Sequence, residues 1–524
     1  MRPARFLPAP GALPVALLVA LLVACGVNPV TGKKELTLVG EGTELRIGAE
    51  NYAPSRQMQG GDFNVDPELT RYVSGVGQKL AAVSDRQLPY EFTVLNNSVP
   101  NAWALPGGKI AVNRGLLTQL GSEAELAAVL GHEITHAAAR HGAKSMERGL
   151  LFQGAVLALS VGVRDNQYSS LIVGGAQVGA QLVTLRYGRE AELEADHYGM
   201  VYMQRAGYDP SAAVDLQQTF VKLEQGKSKG WIDGMLASHP PSAERVEANR
   251  AMAASLGPGG DLGRERFQQQ MVQLRRTEPA YKKYDEGVEA LAKGDAARAL
   301  TLAQDAGKIE PHEAKFAELM GDVELKRKNY RVALDHYQRS IALNDGYFKP
   351  YLQSALARYA LGERDSATTL FAHSMELLPT ATASYYLGRL AQDAGETDRA
   401  LEYYQLAASS DSDIGRESSR QVTVLDLPRH AANYLAVESR VDSTGRVVIA
   451  VQNRAQVAVR SVELQVAIVD ATGRATHGPI RVSSGSRAIE PGQIAEIATG
   501  LGPVTTAAEL KMVRCQIDSA AVAQ

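Results

Sequence analysis

Between residues 67 and 86, apolar side chains fall at Leu69, Tyr72, Val73, Val76, Leu80 and Val83. That three-and-four spacing lines one face of a helix, so a helix is predicted there. Tyr90–Leu95 alternates like a strand, and Ile110-Ala111-Val112 makes a second short strand after the Pro106-Gly107-Gly108 turn. Ser122-Glu123-Ala124-Glu125 reads as a capping box, a serine at the mouth of a helix with a glutamate three residues on. The helix it opens is predicted to run to about His141, with Gly142 as its stop. A second helix is predicted from Tyr187 to about Arg205, ending at Gly207. Residues 26–66 are polar, mixed and Gly-rich, and are expected to hug the surface around one short helix. Gly149 to Leu185 is apolar, rich in small residues and interrupted by Arg164-Asp165. It suits either a buried helix or a movable lid, and its glycines lower helix stability. The Gly257-Pro258-Gly259-Gly260 break marks the expected end of a first domain.

Residues 280–412 repeat with a period of about 34 residues. A small residue recurs at Ala299, Ala333, Ala367 and Ala400. Four places on stand Ala303, Tyr337, Phe371 and Tyr404, and three further Ala306, Ser340, Ser374 and Ala407. Pro311, Asp345 and Pro379 close three of the units, Leu387-Gly388 marks the last, and Gly287 the first. The pattern resembles the tetratricopeptide repeat, a helix–turn–helix unit that stacks into concave binding surfaces. From about Gln421 the period switches to two. Tyr434–Glu438, Val447–Val451, Val462–Val469, Ile480–Ser483, Ile494–Ile497 and Met512–Ile517 read as short strands, separated by turns such as Ser443-Thr444-Gly445 and Glu490-Pro491-Gly492. A small β-sandwich is expected.

A chain of 524 residues exceeds one compact core, so several domains are expected. The net charge of −3 removes the basic excess a nucleic-acid binder would need, and no nucleic-acid partner is expected. Two cysteines, Cys25 and Cys515, give no disulfide framework. Residues 1–24 read as a signal peptide, with Arg2 and Arg5 ahead of an apolar stretch from Ala12 to Ala24. It ends Leu22-Val23-Ala24-Cys25-Gly26, which resembles a bacterial lipobox. The resemblance implies lipidation of Cys25, and Gly26 in place of aspartate implies sorting to the outer membrane. The lipid would then be the membrane anchor.

The chemistry centres on Gly131-His132-Glu133-Ile134-Thr135-His136. On a helix, His132 and His136 share one face and can approach one metal ion, while Glu133 stands beside them to handle a water proton. A catalytic zinc takes three protein ligands and keeps one position for water. The third must come from elsewhere, and Arg189-Glu190-Ala191-Glu192-Leu193-Glu194-Ala195-Asp196 offers four carboxylates among which spacing does not choose. Glu192 and Asp196 share a helical face. His141 lies five residues after His136, off the ligand face of a continuous helix, and is expected to be structural. His197 is expected to be structural or exposed.

His132-Glu133-x-x-His136 with Arg189-x-x-Glu192-x-x-Ala195-Asp196 resembles the zinc metallopeptidase family of CAAX prenyl protease and HtpX type. Asn101-Ala102-Trp103-Ala104-Leu105-Pro106-Gly107-Gly108 and Ser238-His239-Pro240 fit the same family. With the repeats and a signal peptide, the arrangement is closest to its periplasmic, repeat-bearing members. The resemblance covers roughly residues 28–250 and the repeats, but not the expected sandwich. It implies one Zn2+ per chain, Glu192 as third ligand, and Asp196 orienting a ligating histidine. It also allows His239 to occupy the open zinc position as a switch, the other option being a nearby loop residue. Arg245 could pair with Asp196 or face the transition-state oxyanion, a structural salt bridge being favoured.

The expected fold is therefore multidomain. After the signal peptide comes a mainly α zincin-type metallopeptidase domain with a small β element (25–260), then the α-helical tetratricopeptide repeat array (280–412) and a C-terminal β-sandwich (421–524). The expected function is zinc-dependent proteolysis in the bacterial periplasm, with Glu133 as general base and unfolded or misassembled envelope proteins as substrates. The repeats would recruit substrate or outer-membrane assembly machinery. The alternative is a chaperone or scaffold in which His239 suppresses hydrolysis. The strand at Lys109–Asn113 could pair with an extended substrate, unless both its edges are used within the fold.

Overall fold

The computed structural model describes residues 25–153, 181–225 and 239–523. The expected signal peptide and most of the apolar Gly149–Leu185 segment lie outside the described residues. The chain divides into two compact units, Met1–Pro379 and Thr380–Gln524, a division that falls inside the repeat run. Among the described residues no helix is long and apolar enough to cross a membrane.

The first unit opens with a short hairpin, β1 (Cys25–Val27) and β2 (Lys34–Leu36). Next comes α1 (Glu41–Met58), an 18-residue helix where only a short one was expected. Its burial is of a kind that hydropathy misses. Glu44, Asn51 and Ser55 are buried on it, and Arg86 pairs with Glu44 at 2.8 Å. Helix α2 (Pro67–Ala81) is capped by the Asp66 side chain and buries Leu69, Val73, Val76 and Leu80 as its periodicity predicts.

Strands β3 (Glu91–Leu95), β4 (Ala102–Leu105) and β5 (Lys109–Asn113) form one sheet in the order β3-β5-β4. β5 is the central strand, parallel to β3 and antiparallel to β4. Both of its edges are used, so the expectation that it pairs with substrate is corrected. β4 was not predicted as a strand; its four residues are all buried, so it lacks the alternation by which a strand is read.

Helix α3 (Glu123–Ala138) begins at Ser122, whose hydroxyl accepts from the Glu125 amide. It stops short of the predicted His141. Arg140 adopts a left-handed φ of 63°, and α4 (His141–Gln153) starts immediately after. Gly142 is thus inside a new helix and is not a terminator. The turn is fixed by the Arg140 guanidinium, which bonds Glu44 and donates to Thr37 Oγ1 at 3.0 Å. Helices α5 (Arg189–Arg205), α6 (Ala212–Gln225) and α7 (Ala243–Leu256) complete the part that precedes the repeats.

Three helix pairs follow: α8 (Val272–Ala292) with α9 (Ala296–Ile309), α10 (Ala314–Lys326) with α11 (Tyr330–Leu343), and α12 (Phe348–Ala360) with α13 (Arg364–Leu377). The residues that recur in sequence are those that are buried, from Ala299, Ala303 and Ala306 through Ala367, Phe371 and Ser374. The small residue facing each aromatic is explained by space, since a Cβ on Gly321 would meet the Tyr337 ring at 2.5 Å. The first three of these helices are continuous with the core of the preceding part. Phe267, Met271, Leu274, Tyr281, Ala306 and Phe316 share one hydrophobic cluster with Val73, Leu126 and Ile134. The Arg114 guanidinium lies 3.4 Å from the Tyr281 ring centre, and Asn96 donates to both oxygens of Glu313 at 3.0 and 2.9 Å.

The second unit holds α14 (Ala381–Asp393), α15 (Thr397–Ala408) and α16 (Asp413–Asp426), followed by two three-stranded antiparallel sheets. One has the order β10-β7-β6, from β6 (Leu435–Val441), β7 (Val447–Asn453) and β10 (Ile494–Ala498). The other has the order β11-β8-β9, from β8 (Val459–Val469), β9 (Ala475–Ser483) and β11 (Val513–Val522). Val447, Ile449 and Val451 of one sheet share a core with Val462, Leu464 and Val466 of the other, the inward residues of a period-two pattern.

Candidate metal centre

Helices α3 and α5 carry the chemistry, and two glycines let them meet. A Cβ on Gly131 would stand 2.9 Å from the Gly199 carbonyl oxygen, and one on Gly199 would stand 2.9 Å from the His132 amide nitrogen. The backbones therefore touch one residue from His132, which brings side chains of both helices to one point. In an open helix Gly→Ala is worth about 1 kcal/mol in favour of alanine. Here Gly131→Ala is expected to destabilise by about 1–3 kcal/mol through overpacking and to weaken metal binding. Thermal melting and metal titration of the variant check both effects.

His132, His136, Glu192 and His239 each present one donor atom, and the four donors lie within 4.8 Å of one another. All are buried, at 5, 1, 2 and 3% exposure. The Nε2 atoms of His132 and His136 are 3.0 Å apart. Glu192 Oε2 is 3.5 Å from the first and Oε1 3.6 Å from the second. His239 Nδ1 is 2.9 Å from Glu192 Oε1 and 3.3 Å from His132 Nε2. Glu192 is the carboxylate of its run that reaches the two rings.

The other residues singled out in sequence are also here. Asp196 Oδ1 lies 2.8 Å from His132 Nδ1 and accepts its N–H, which leaves Nε2 bare and facing the centre. Arg245 grips Asp196 with two bonds of 2.7 Å, from Nε to Oδ2 and from Nη2 to Oδ1, while its Nη1 lies 2.9 Å from Glu192 Oε2. Of the two options for Arg245, the structure has the pair with Asp196. Cys25 is the first residue of β1, away from this cluster in sequence. His197 is exposed.

Two residues near the centre escaped sequence reasoning. His141 was expected off the ligand face, but the chain break at Arg140 turns it back, and its Nδ1 lies 2.8 Å from His136 Nδ1. The helical wheel assumed one continuous helix, and no sequence signal marked the break. Tyr187 stacks on the His136 ring at 4.0 Å between centroids and 21° between planes. It precedes α5 in a stretch without periodicity.

The residues fit a divalent cation. Both Glu133 oxygens are buried and, among the described residues, have no hydrogen-bond donor. The His239 ring stands beside Glu133, with Nε2 3.7 Å from Oε1. Two imidazole nitrogens and a carboxylate converge at separations of 3.0 to 3.6 Å, an arrangement of acceptors that a cation resolves. Burial, above all, raises the Glu133 pKa, partly offset by His239 and His132. Burial, then His132 and His141, hold His136 well below its ordinary value and so neutral, the form that ligates a metal. Burial pushes Asp196 up, but the Arg245 guanidinium outweighs it and leaves the carboxyl well below the usual range.

Comparison with known proteins follows the same residues. Residues 67–253 match the model of peptidase family M48. The Escherichia coli (strain K12) β-barrel assembly-enhancing protease is 28% identical over 263 residues, 47% of this chain and 53% of the relative. The chain thus spans about half the length of that relative. The mitochondrial metalloendopeptidase OMA1 of Arabidopsis thaliana is 35% identical over 158 residues, 30% of either chain. Among solved structures, the first tetratricopeptide domain of Spaghetti (RPAP3) aligns with 23% of this chain and 98% of its own, at 21% identity and a TM-score of 0.22. The segment that matches the family holds every side chain of the cluster: residues 67–253 are a peptidase family M48 domain.

Proposed function

We propose that the protein is a zinc-dependent endopeptidase of the bacterial periplasm, anchored to the outer membrane through lipid on Cys25, which degrades unfolded or misassembled envelope proteins. The observation that carries the reading is the convergence of His132 Nε2, His136 Nε2 and the Glu192 carboxylate beside the donorless carboxylate of Glu133. The metal would be held by His132, His136 and Glu192. When bound, it would polarise the scissile carbonyl and lower the pKa of bound water. Glu133 would take the proton from the attacking water and return it to the leaving amine. Asp196 holds His132 in the tautomer whose Nε2 is free, and Arg245 keeps Asp196 ionised.

Substrate would lie extended beside β4, an outer strand of its sheet whose residues are buried in this state. Ala104 and Leu105 of that strand bound the same hollow as His136 and Tyr187. Backbone pairing there would read little sequence, which suits unfolded substrates. The repeats would recruit substrate or outer-membrane assembly machinery, a reading supported by the name of the E. coli relative. His239 would act as the switch. With its Nδ1 among the ligand atoms it would take the position of water, and in that state the protein would serve as a chaperone or scaffold.

Metal analysis with a cleavage assay on unfolded casein tests the reading. The expected result is a single zinc ion per chain, proteolysis abolished by a strong chelator and restored by added zinc, and loss of zinc in His136→Ala. Metal-free protein that cleaves at the parental rate would refute it.

A further inference from the structure

The two metal-facing histidines are held in different ways. His132 gives its Nδ1 proton to a carboxylate, Asp196. Among the described residues His136 has no carboxylate on its Nδ1; it has a third imidazole, His141, at 2.8 Å. The other nitrogen of His141, Nε2, lies 3.2 Å from Glu194 Oε1, and Asn28 Nδ2 lies 3.4 Å from the same oxygen.

Hydrogen-bond accounting gives this chain one direction. Glu194, as a carboxylate, only accepts, so His141 Nε2 must carry the proton and donate. A neutral His141 then has a bare Nδ1, which can only accept, so His136 Nδ1 must be the protonated nitrogen. That leaves His136 Nε2 bare, the atom that stands 3.0 Å from His132 Nε2 and 3.6 Å from Glu192 Oε1. The opposite direction would set the lone pair of His141 Nε2 against the Glu194 carboxylate.

We propose that His141 and Glu194 are positioning residues for His136, a carboxylate–imidazole relay that fixes its tautomer and aims Nε2 at the metal. This rests on the metal centre proposed above. The relay explains why the chain breaks at Arg140. A helix continued through that residue would carry His141 round to another face; the left-handed turn returns it to the ring it supports. It also ties the metal centre to the N-terminal hairpin. Asn28 sits between β1 and β2, Lys144 of α4 pairs with Glu35 at 2.7 Å, and Glu147 of α4 accepts from the Leu38 and Val39 amides at 2.9 Å.

The test is zinc affinity of the full-length protein, measured by competition with a chromophoric chelator, together with the visible spectrum of the cobalt-substituted form. His141→Phe removes the acceptor and is expected to weaken zinc about 10–100-fold and to alter the cobalt spectrum. His141→Asn can present a carbonyl oxygen near the place of Nδ1 and is expected to stay within a few-fold of the parent. Glu194→Ala, at a partly exposed position, is expected to weaken zinc about tenfold, with Glu194→Gln close to the parent. Parental affinity in His141→Phe overturns the relay, as does equal weakening by Phe and Asn, which would mean that His141 only packs. Should His141→Phe fail to fold, parental affinity in Glu194→Ala overturns it. If the parent itself binds no zinc, the metal centre fails, not the relay alone.

Discussion

Glu133→Gln is expected to keep its zinc and its melting temperature while cleaving unfolded casein about 10²–10⁴-fold more slowly, the usual contribution of a positioned general base. The reason lies in the position of that carboxylate. It sits on the ligand helix, one residue from His132, yet contacts none of the donors that hold the fold together. Removing its charge breaks no hydrogen bond among the described residues and eliminates a buried carboxylate that lacks a donor. Stability should not fall, and a lower kcat is the one large change. Retained zinc with parental turnover would show that another group moves the proton. Lost zinc would show that Glu133 belongs to the ligand set.

Arg245→Ala is expected to have the opposite profile, a large loss of stability. Arg245 and Asp196 are both buried and joined by two short bonds. Removing one partner of such a pair costs about 3–5 kcal/mol, because the remaining charge is left buried and uncompensated. Here the stranded group is the carboxylate that orients His132, so zinc affinity should fall with stability. Arg245→Lys should recover only part of the loss, since an ammonium cannot make the two-pronged contact. Chemical denaturation of the three proteins measures it. An Arg245→Ala protein as stable as the parent would mean that Asp196 finds another cation.

Much of the site was legible in sequence because its signals are local. Two histidines four apart and an acidic run on a later helix are read from helix geometry, while resemblance supplied the preference for Glu192 among four carboxylates, the orienting role of Asp196 and the place of His239 at the centre. The repeats were legible for a similar reason, since the recurring Ala, aromatic and Ser positions are those that the stacked helices bury. What escaped depends on backbone events or on polar burial. The left-handed residue at Arg140 is held by Glu44, 96 residues away, and no local pattern encodes it. Helix α1 was underestimated because its buried face carries Glu44, Asn51 and Ser55 where a hydrophobic stripe was sought. β4 was missed because burial on both faces erases alternation. The substrate-pairing role first considered for β5 failed on topology, which spacing cannot reveal.

The core that residues 67–253 share with the first three helices of the array has one more consequence. Tyr281 and Phe316 pack in the same cluster as Ile134, two residues before His136, and Glu313 is gripped by Asn96 from the loop after β3. A boundary drawn at residue 253, where the family match stops, or at the Gly-rich break near 260 would cut through that interior. It would strand the Arg114 guanidinium without its aromatic platform. The first three helices of the array therefore form a wall of the proposed catalytic domain, and a substitution among their buried residues is expected to be felt at the ligand helix before it is felt by any guest.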